Sequence, residues 1–213
     1  GKIQNYFRLI YQSGNRLMTF LNNILDISRF QSGKMQMDMG RINVNELLSV
    51  VAEEFSELTL NKPIGIEFDF NEPEILIECD VEKLQQVFRN IIANSIKYSD
   101  EKVQLRISSE LSSDKAPNDS TVLRIVIADH GVGIPDDELD KVFEKFYQSS
   151  RTNTGAGGTG LGLALCKEIV NMHQGNIWIQ NNLNGGISVN IELPALSAML
   201  EAETGDELLR SSM

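Results

Sequence analysis

The chain has 213 residues, 41% apolar and 23% charged, enough for one well-cored domain and a smaller element. A formal charge of −11 opposes nucleic-acid binding, which rests on Lys and Arg neutralising phosphates, so an anionic ligand has to be held locally. No run approaches the ~18 uninterrupted apolar residues of a membrane span and nothing resembles a signal peptide, so a soluble stretch is expected.

Residues 1–31 read as one long amphipathic helix. Ile3, Phe7, Ile10, Gly14, Leu17, Leu21, Ile24 and Ser28 follow a 4,3 alternation, and Tyr6, Met18, Phe20, Leu25 and Ile27 widen the stripe into that of a bundle or coiled-coil helix. Gln31-Ser32-Gly33 stops it, and Met35, Met37 and Met39 then alternate with polar residues as a short strand should. Asn43 and Glu46 form an N-x-x-E capping pattern for a helix over 44–60. Strands are expected at 64–70 and 75–79, after which Asp80 caps a helix reaching Tyr98.

Residues 103–111 and 121–129 read as a strand pair joined by a polar hairpin loop. Pro135 and the acidic stretch 136–146 begin another helix, followed by a glycine loop, a helix over 161–173 and strands at 176–180 and 187–193. Short amphipathic strands interleaved with helices predict an α+β fold, a two-layer α/β sandwich with helices on one face of the sheet. Residues 195–213 read as a tail with room for one short helix. Cys79 and Cys166 lie in apolar contexts without CxxC or metal spacing, which favours two buried thiols in a reducing compartment over a disulfide. His130 and His173 are equally isolated and are read as structural or incidental, and no metal site built from protein ligands alone is expected.

Gly155-x-Gly157-x-x-Gly160 is the written form of a dinucleotide-binding fingerprint, which needs a strand before it and an acidic residue ~20 positions later. Here the preceding stretch is polar, and the following strand ends in Asn181 and Asn182. Another use of the glycines has to be found.

Asn90 and Asn94 sit four apart with Lys97 a turn further on, so the three can share one helix face, although such asparagines can equally satisfy backbone groups. "DHGVG" at 129–133 puts an aspartate at a strand end before two turn-permitting glycines. "FEKFY" brings Phe143, Phe146 and Tyr147 before a polar loop, and "GGTGLGL" at 157–163 lets backbone amides approach an anion at a helix N-terminus. In this order and spacing the four stretches resemble the N, G1, F and G2 boxes of sensor histidine kinases, within the gyrase/chaperone/histidine-kinase/mismatch-repair ATPase superfamily. The likeness runs from residue 1 to about 194. Residues 1–39 resemble the second helix of the dimerisation and histidine-phosphotransfer hairpin with its exit strand, and residues 40–194 the catalytic ATP-binding domain with its Bergerat fold.

The resemblance implies ATP and Mg²⁺ as cofactors. It implies that Asn94 ligates Mg²⁺ through a hard side-chain oxygen, with Asn90 holding a phosphate or a metal-bound water. Lys97 would offer charge to the phosphates and Tyr98 a surface beside the sugar or base. Asp129 would accept from the adenine amine, selecting ATP over GTP, with Gly131 and Gly133 turning the backbone against the base. Residues 148–160 would form a mobile ATP lid after Phe146, in which Gly158, Gly160 and Gly162 supply flexibility and amides while Thr159 and Leu161 fix the next helix. Arg151 is the candidate lid cation, since Gln148 stands where some relatives place Arg.

The activity implied is protein-histidine kinase action in a two-component signal-transduction system. Hydrolytic members of the superfamily carry Glu one turn before the metal-binding Asn. Here that residue is Asn90, which favours transfer to a protein acceptor. The acceptor His of such kinases lies in the first hairpin helix, ahead of Gly1, so the chain is expected to be a fragment of a longer kinase that cannot phosphorylate itself at the usual site. The alternative is a nucleotide-binding regulatory module, degenerate or anti-sigma-like. Implied partners are a second copy, as a homodimer through the N-terminal helix, and a response regulator receiver domain, with no direct membrane contact by this fragment. The implied location is cytoplasmic, in a parent that can be membrane-anchored.

Overall fold

The computed structural model describes residues 2–33, 35–58, 63–99, 103–112, 121–151 and 158–196. Residues 152–157 of the lid, 113–120 of the hairpin loop and nearly all of the tail fall outside the described residues, and with them the expectations of lid mobility and a tail helix.

Alternation with period two builds the sheet. Strands β2 (Ile64–Phe70), β4 (Val103–Ser112), β5 (Val122–Asp129), β6 (Asn176–Asn181) and β7 (Ile187–Pro194) line up in the order β2-β4-β5-β7-β6. β2 runs parallel to β4 and every other pair is antiparallel. β4 buries Val103, Leu105, Ile107 and Ser109, and β5 buries Leu123, Ile125, Ile127 and Asp129, each on one face. The intervening residues meet on the other face, where Arg124 lies directly opposite Glu110 and Glu192 and pairs with both. Among the described residues that face carries no helix, in keeping with the charge alternation.

Helices α2 (Val44–Leu58), α3 (Val81–Tyr98) and α4 (Gly162–Met172) cover the apolar face, giving the expected two layers. Leu48, Val51, Leu84, Phe88, Ile91, Leu165 and Ile169 are almost wholly removed from water between the layers. Asn43 Oδ1 caps α2 by accepting from Asn45 N at 3.1 Å, and Asp80 Oδ1 caps α3 by accepting from Lys83 N at 3.1 Å. His173, just after α4, is buried. Its Nδ1 donates to Ile169 O at 2.8 Å and its Nε2 accepts from Asp80 N at 2.9 Å, a structural tie between two helix ends.

Two expectations change. The strand expected over Met35–Met39 begins only at Met39: β1 (Met39–Asn43) pairs antiparallel with β3 (Leu76–Asp80), and Asp38 N is taken instead by Asp80 Oδ2 at 3.0 Å. The helix expected over 136–146 is two single 3₁₀ turns, Asp136–Glu138 and Lys141–Phe143. α1 (Lys2–Gln31) has the expected length, with Gly33 at φ 63° closing it, and its apolar stripe lies away from the domain. Ile3, Phe7, Ile10, Leu17 and Leu21 are exposed, while Asn23 and Ile27 are buried and Phe20 and Phe30 pack partly. Asp26 fixes this side by accepting from Gln86 Nε2 at 3.2 Å.

Candidate functional site

A cavity of about 590 Å³ opens between α3, the N-terminus of α4 and the C-terminal end of β5. Of the residues singled out in the sequence, Asn90, Asn94, Lys97, Tyr98, Asp129, Gly131, Gly133, Gly158, Thr159, Gly160 and Gly162 all line it. Phe146, Arg151 and Leu161 do not. Phe146 is 62% exposed and Leu161 is buried in the core, while Arg151 Nη1 donates to Val132 O at 3.2 Å, so that its charge serves the loop after β5.

Period two explains why Asp129 faces inward, since it continues the buried series of β5 at the strand end. It is 4% exposed. One carboxylate oxygen, Oδ1, accepts from Gly131 N at 2.8 Å and from Ile187 N at 3.1 Å. The other oxygen has no protein partner among the described residues, so a rigidly held acceptor is left for a ligand donor. Ile134, Ile179, Ile187 and Val189 supply apolar walls around it. A planar heterocycle with an exocyclic amine suits this end.

The other end is polar. Lys97 Nζ donates to Tyr98 Oη at 2.9 Å and lies 4.6 Å from that ring's centroid, with no carboxylate in ion-pair range among the described residues. Gly158 comes so close that a Cβ there would stand 3.2 Å from Lys97 Nζ and 3.4 Å from Tyr98 Oη. Asn90 Nδ2 is buried without a hydrogen-bond partner among the described residues. It neighbours the Cys166 thiol, which burial pushes up to about 12, partly offset by Asn90, and a neutral sulfur is a weak acceptor. No side chain caps α4, so its first amides remain open to the cavity side where Gly162 lies. A cationic amine, unpaired amide groups and an uncapped helix start make a phosphate-binding end.

The lid base is held by bonds the sequence did not show. Gln148 Nε2 donates to Gly158 O at 2.6 Å, giving the residue that replaces Arg a structural use. Phe146, itself at φ 66°, donates its N–H to Gly160 O at 2.8 Å. A Cβ on Gly160 would fall 2.5 Å from the Phe146 carbonyl carbon, so only glycine fits there. Glu138 Oε2 accepts from Ser150 N at 3.0 Å, and bonds from Ser149 and Ser150 hold its carboxyl below the ordinary glutamate range. Burial, and then the Glu138 charge, holds the Tyr147 hydroxyl above its ordinary value, keeping it a neutral donor. Sequence reading also missed α1. Asn15, Thr19 and Asn23, four residues apart, form one wall of the cavity, a polar stripe overlooked beside the apolar one.

A cavity with a free carboxylate oxygen at one end and a cationic amine beside an uncapped helix start at the other has the shape and chemistry a nucleotide requires. Residues 79–197, more than half of the chain, match the histidine kinase-, DNA gyrase B- and HSP90-like ATPases, and the chain belongs to that family.

Within the family it is a histidine-kinase ATPase domain. It is 33% identical over 182 residues to the sensor histidine kinase WalK of Bacillus subtilis (strain 168), an alignment covering 84% of this chain but only 28% of that protein. The catalytic domain of histidine kinase ThkA superposes with a TM-score of 0.62 at 29% identity, over 74% of this chain and 98% of that one. ThkA in complex with the response regulator TrrA gives a TM-score of 0.69 at 25% identity, over 90% of this chain and 51% of that one. Among the described residues no helix is long and apolar enough to cross a membrane.

Proposed function

We propose that this chain is the catalytic part of a protein-histidine kinase, which binds ATP and transfers its γ-phosphoryl group to a histidine outside residues 1–213. The observation that carries the reading is the single cavity holding the Asp129 acceptor at one end and Asn90, Asn94, Lys97 and the uncapped start of α4 at the other. The free Asp129 oxygen takes the adenine amine, Lys97 and the α4 amides hold the phosphates, and Gly158 brings the lid backbone against them.

Mg²⁺ fits the donor set. Asn94 offers a neutral oxygen, phosphates would supply others, and the unpartnered Asn90 amide can orient a phosphate or a metal-bound water. When bound, the ion neutralises charge between the terminal phosphates. With Asn90 one turn before Asn94, no carboxylate stands there to activate water, which favours transfer to a protein acceptor, in this reading an imidazole nitrogen. Its lone pair forms the N–P bond as the bond to the leaving ADP oxygen breaks.

The same reading gives the remaining assignments: residues 1–39 as phosphotransfer-hairpin element, 40–194 as catalytic domain and 195–213 as tail. The exposed stripe of α1 supports self-association as a homodimer, and the ThkA–TrrA complex supports a receiver-domain partner. The location proposed is cytoplasmic.

The test is γ-labelled ATP added with and without a separately supplied acceptor-helix polypeptide. Label should pass to the acceptor, and Asn94→Ala should abolish transfer. Tight ATP binding without transfer would instead favour the regulatory module.

A further inference from the structure

The geometry points to Asn181 and Asn182 as positioning residues for base recognition, bracing the loop after β5 from the far side of the sheet. The inference rests on the reading of Asp129 as the adenine contact. In the sheet, β7 separates β5 from β6, so no ladder bonds join these two strands. The last residue of β6 and the one after it nevertheless hold both ends of the loop 129–136 through their carboxamides.

Asn181 Oδ1 accepts from Ile134 N at 3.0 Å, while Nδ2 donates to Ile134 O at 2.7 Å and to Asp136 Oδ1 at 2.7 Å. One carboxamide thus pairs with a residue as a neighbouring strand would, taking its N–H and its C=O together, and it uses both of its own N–H donors. Asn182 Nδ2 donates to Asp129 O at 3.1 Å, and its Oδ1 is oriented by Ser188 Oγ at 2.7 Å. Ile187 N adds the bond to Asp129 Oδ1 from the other arm of the same hairpin. The start of the loop is therefore fixed at the backbone and side chain of Asp129, and its end at Ile134, which itself lines the cavity. Between these points the chain turns through Gly133 at φ 71°, a position with little rigidity of its own. Remove the braces and the carboxylate oxygen that reads the base loses its fixed direction.

The decisive variant is Asn181→Asp, close to isosteric. It keeps the acceptor for Ile134 N–H but loses both donors, and it sets a carboxylate against Ile134 O and the Asp136 carboxylate. Binding of ATP and GTP would be measured by competition with a fluorescent adenine nucleotide, beside thermal melting. N181D should weaken ATP by about tenfold, with GTP little changed, so that the ATP:GTP ratio falls by a similar factor. N181D/D136N, which relieves the repulsion, should recover part of that ratio. A residue that only stabilised the fold would lower Tm and leave the ratio untouched.

If N181D does not fold, the milder Asn181→Ser decides, because its single, shorter O–H cannot donate to Ile134 O and Asp136 Oδ1 together and the ratio should still fall. An unaltered ratio in the folded variant overturns the inference while wild type still prefers ATP. A wild-type chain with no preference for ATP overturns the reading of Asp129 on which it rests.

Discussion

The hairpin that joins β6 to β7 contains two consecutive glycines with left-handed backbones, and replacing each by alanine separates conformational strain from steric displacement of the site. Gly185 stands at φ 91°, and a Cβ there would meet nothing closer than Gly131 O at 3.9 Å. Gly186 stands at φ 77°, and a Cβ there would be 2.0 Å from Asp129 O and 2.5 Å from its carbonyl carbon. Gly185→Ala therefore costs only the left-handed conformation, about 1–2 kcal/mol.

Gly186→Ala adds a backbone shift of an ångström or so that breaks the Asn182 and Ile187 bonds to Asp129, each worth ~1 kcal/mol, for a total of roughly 3–4 kcal/mol. For a chain of this size the Tm losses are about 2–8 °C for the first and about 6–16 °C for the second. The second should also weaken ATP by about 10- to 100-fold, since the acceptor to the base is charged and moves with the backbone. Thermal unfolding and nucleotide titration measure both effects. Equal Tm losses and equal affinities in the two variants would refute the reasoning.

The depressed Glu138 carboxyl contributes stability that is complete above the ordinary glutamate value of about 4.5 and is lost as pH falls through its lower folded value. Glu138→Gln should flatten that acid limb in urea unfolding from pH 6 to pH 3, and an unchanged slope would count against it. Burial raises the thiols of Cys79 and Cys166 to about 12, so at pH 8 roughly one in ten thousand is thiolate. A thiol-reactive disulfide should label neither in the native chain and both in denaturant, and rapid native labelling would show that the core is open.

The sheet and its covered face were legible because β4 and β5 alternate without a break, and because Asp80 and Asn43 are side chains that only a helix start uses well. The 136–146 stretch misled because Leu139, Val142, Phe143 and Phe146 repeat at helical spacing. Tertiary bonds win there: Glu138 is drawn to Ser150, and Phe146 turns left-handed to meet Gly160. Met35 and Met37 alternate like a strand, but β3 ends at Asp80 opposite Met39 and offers them no partner.

At the site, the line of asparagines on α3 and the aspartate ending β5 stood out by their spacing, and the order of the four stretches, through its resemblance to the kinase boxes, gave them a role. What holds them did not stand out, because the partners of Asp129, Gly158 and Ile134 lie 58, 10 and 47 residues away along the chain. Asn181 and Asn182 first drew notice only as missing acids, and their donors prove to be the useful part.

With Asp129 proposed as the base contact, the unequal treatment of its two oxygens would make base preference a matter of one atom. Because Oδ1 is claimed by two backbone N–H groups, an amide placed there has no choice of flip: its oxygen must stay with the protein and its nitrogen must point at the ligand. Asp129→Asn is therefore expected to invert the site rather than empty it, from a reader of an amine to a reader of a carbonyl, shifting preference from ATP toward GTP in the same titration. Loss of both nucleotides alike would deny that inversion. The backbone amides thus act as a polariser for whatever side chain stands at this position, and the chemical letter it reads is set by the single atom they leave free.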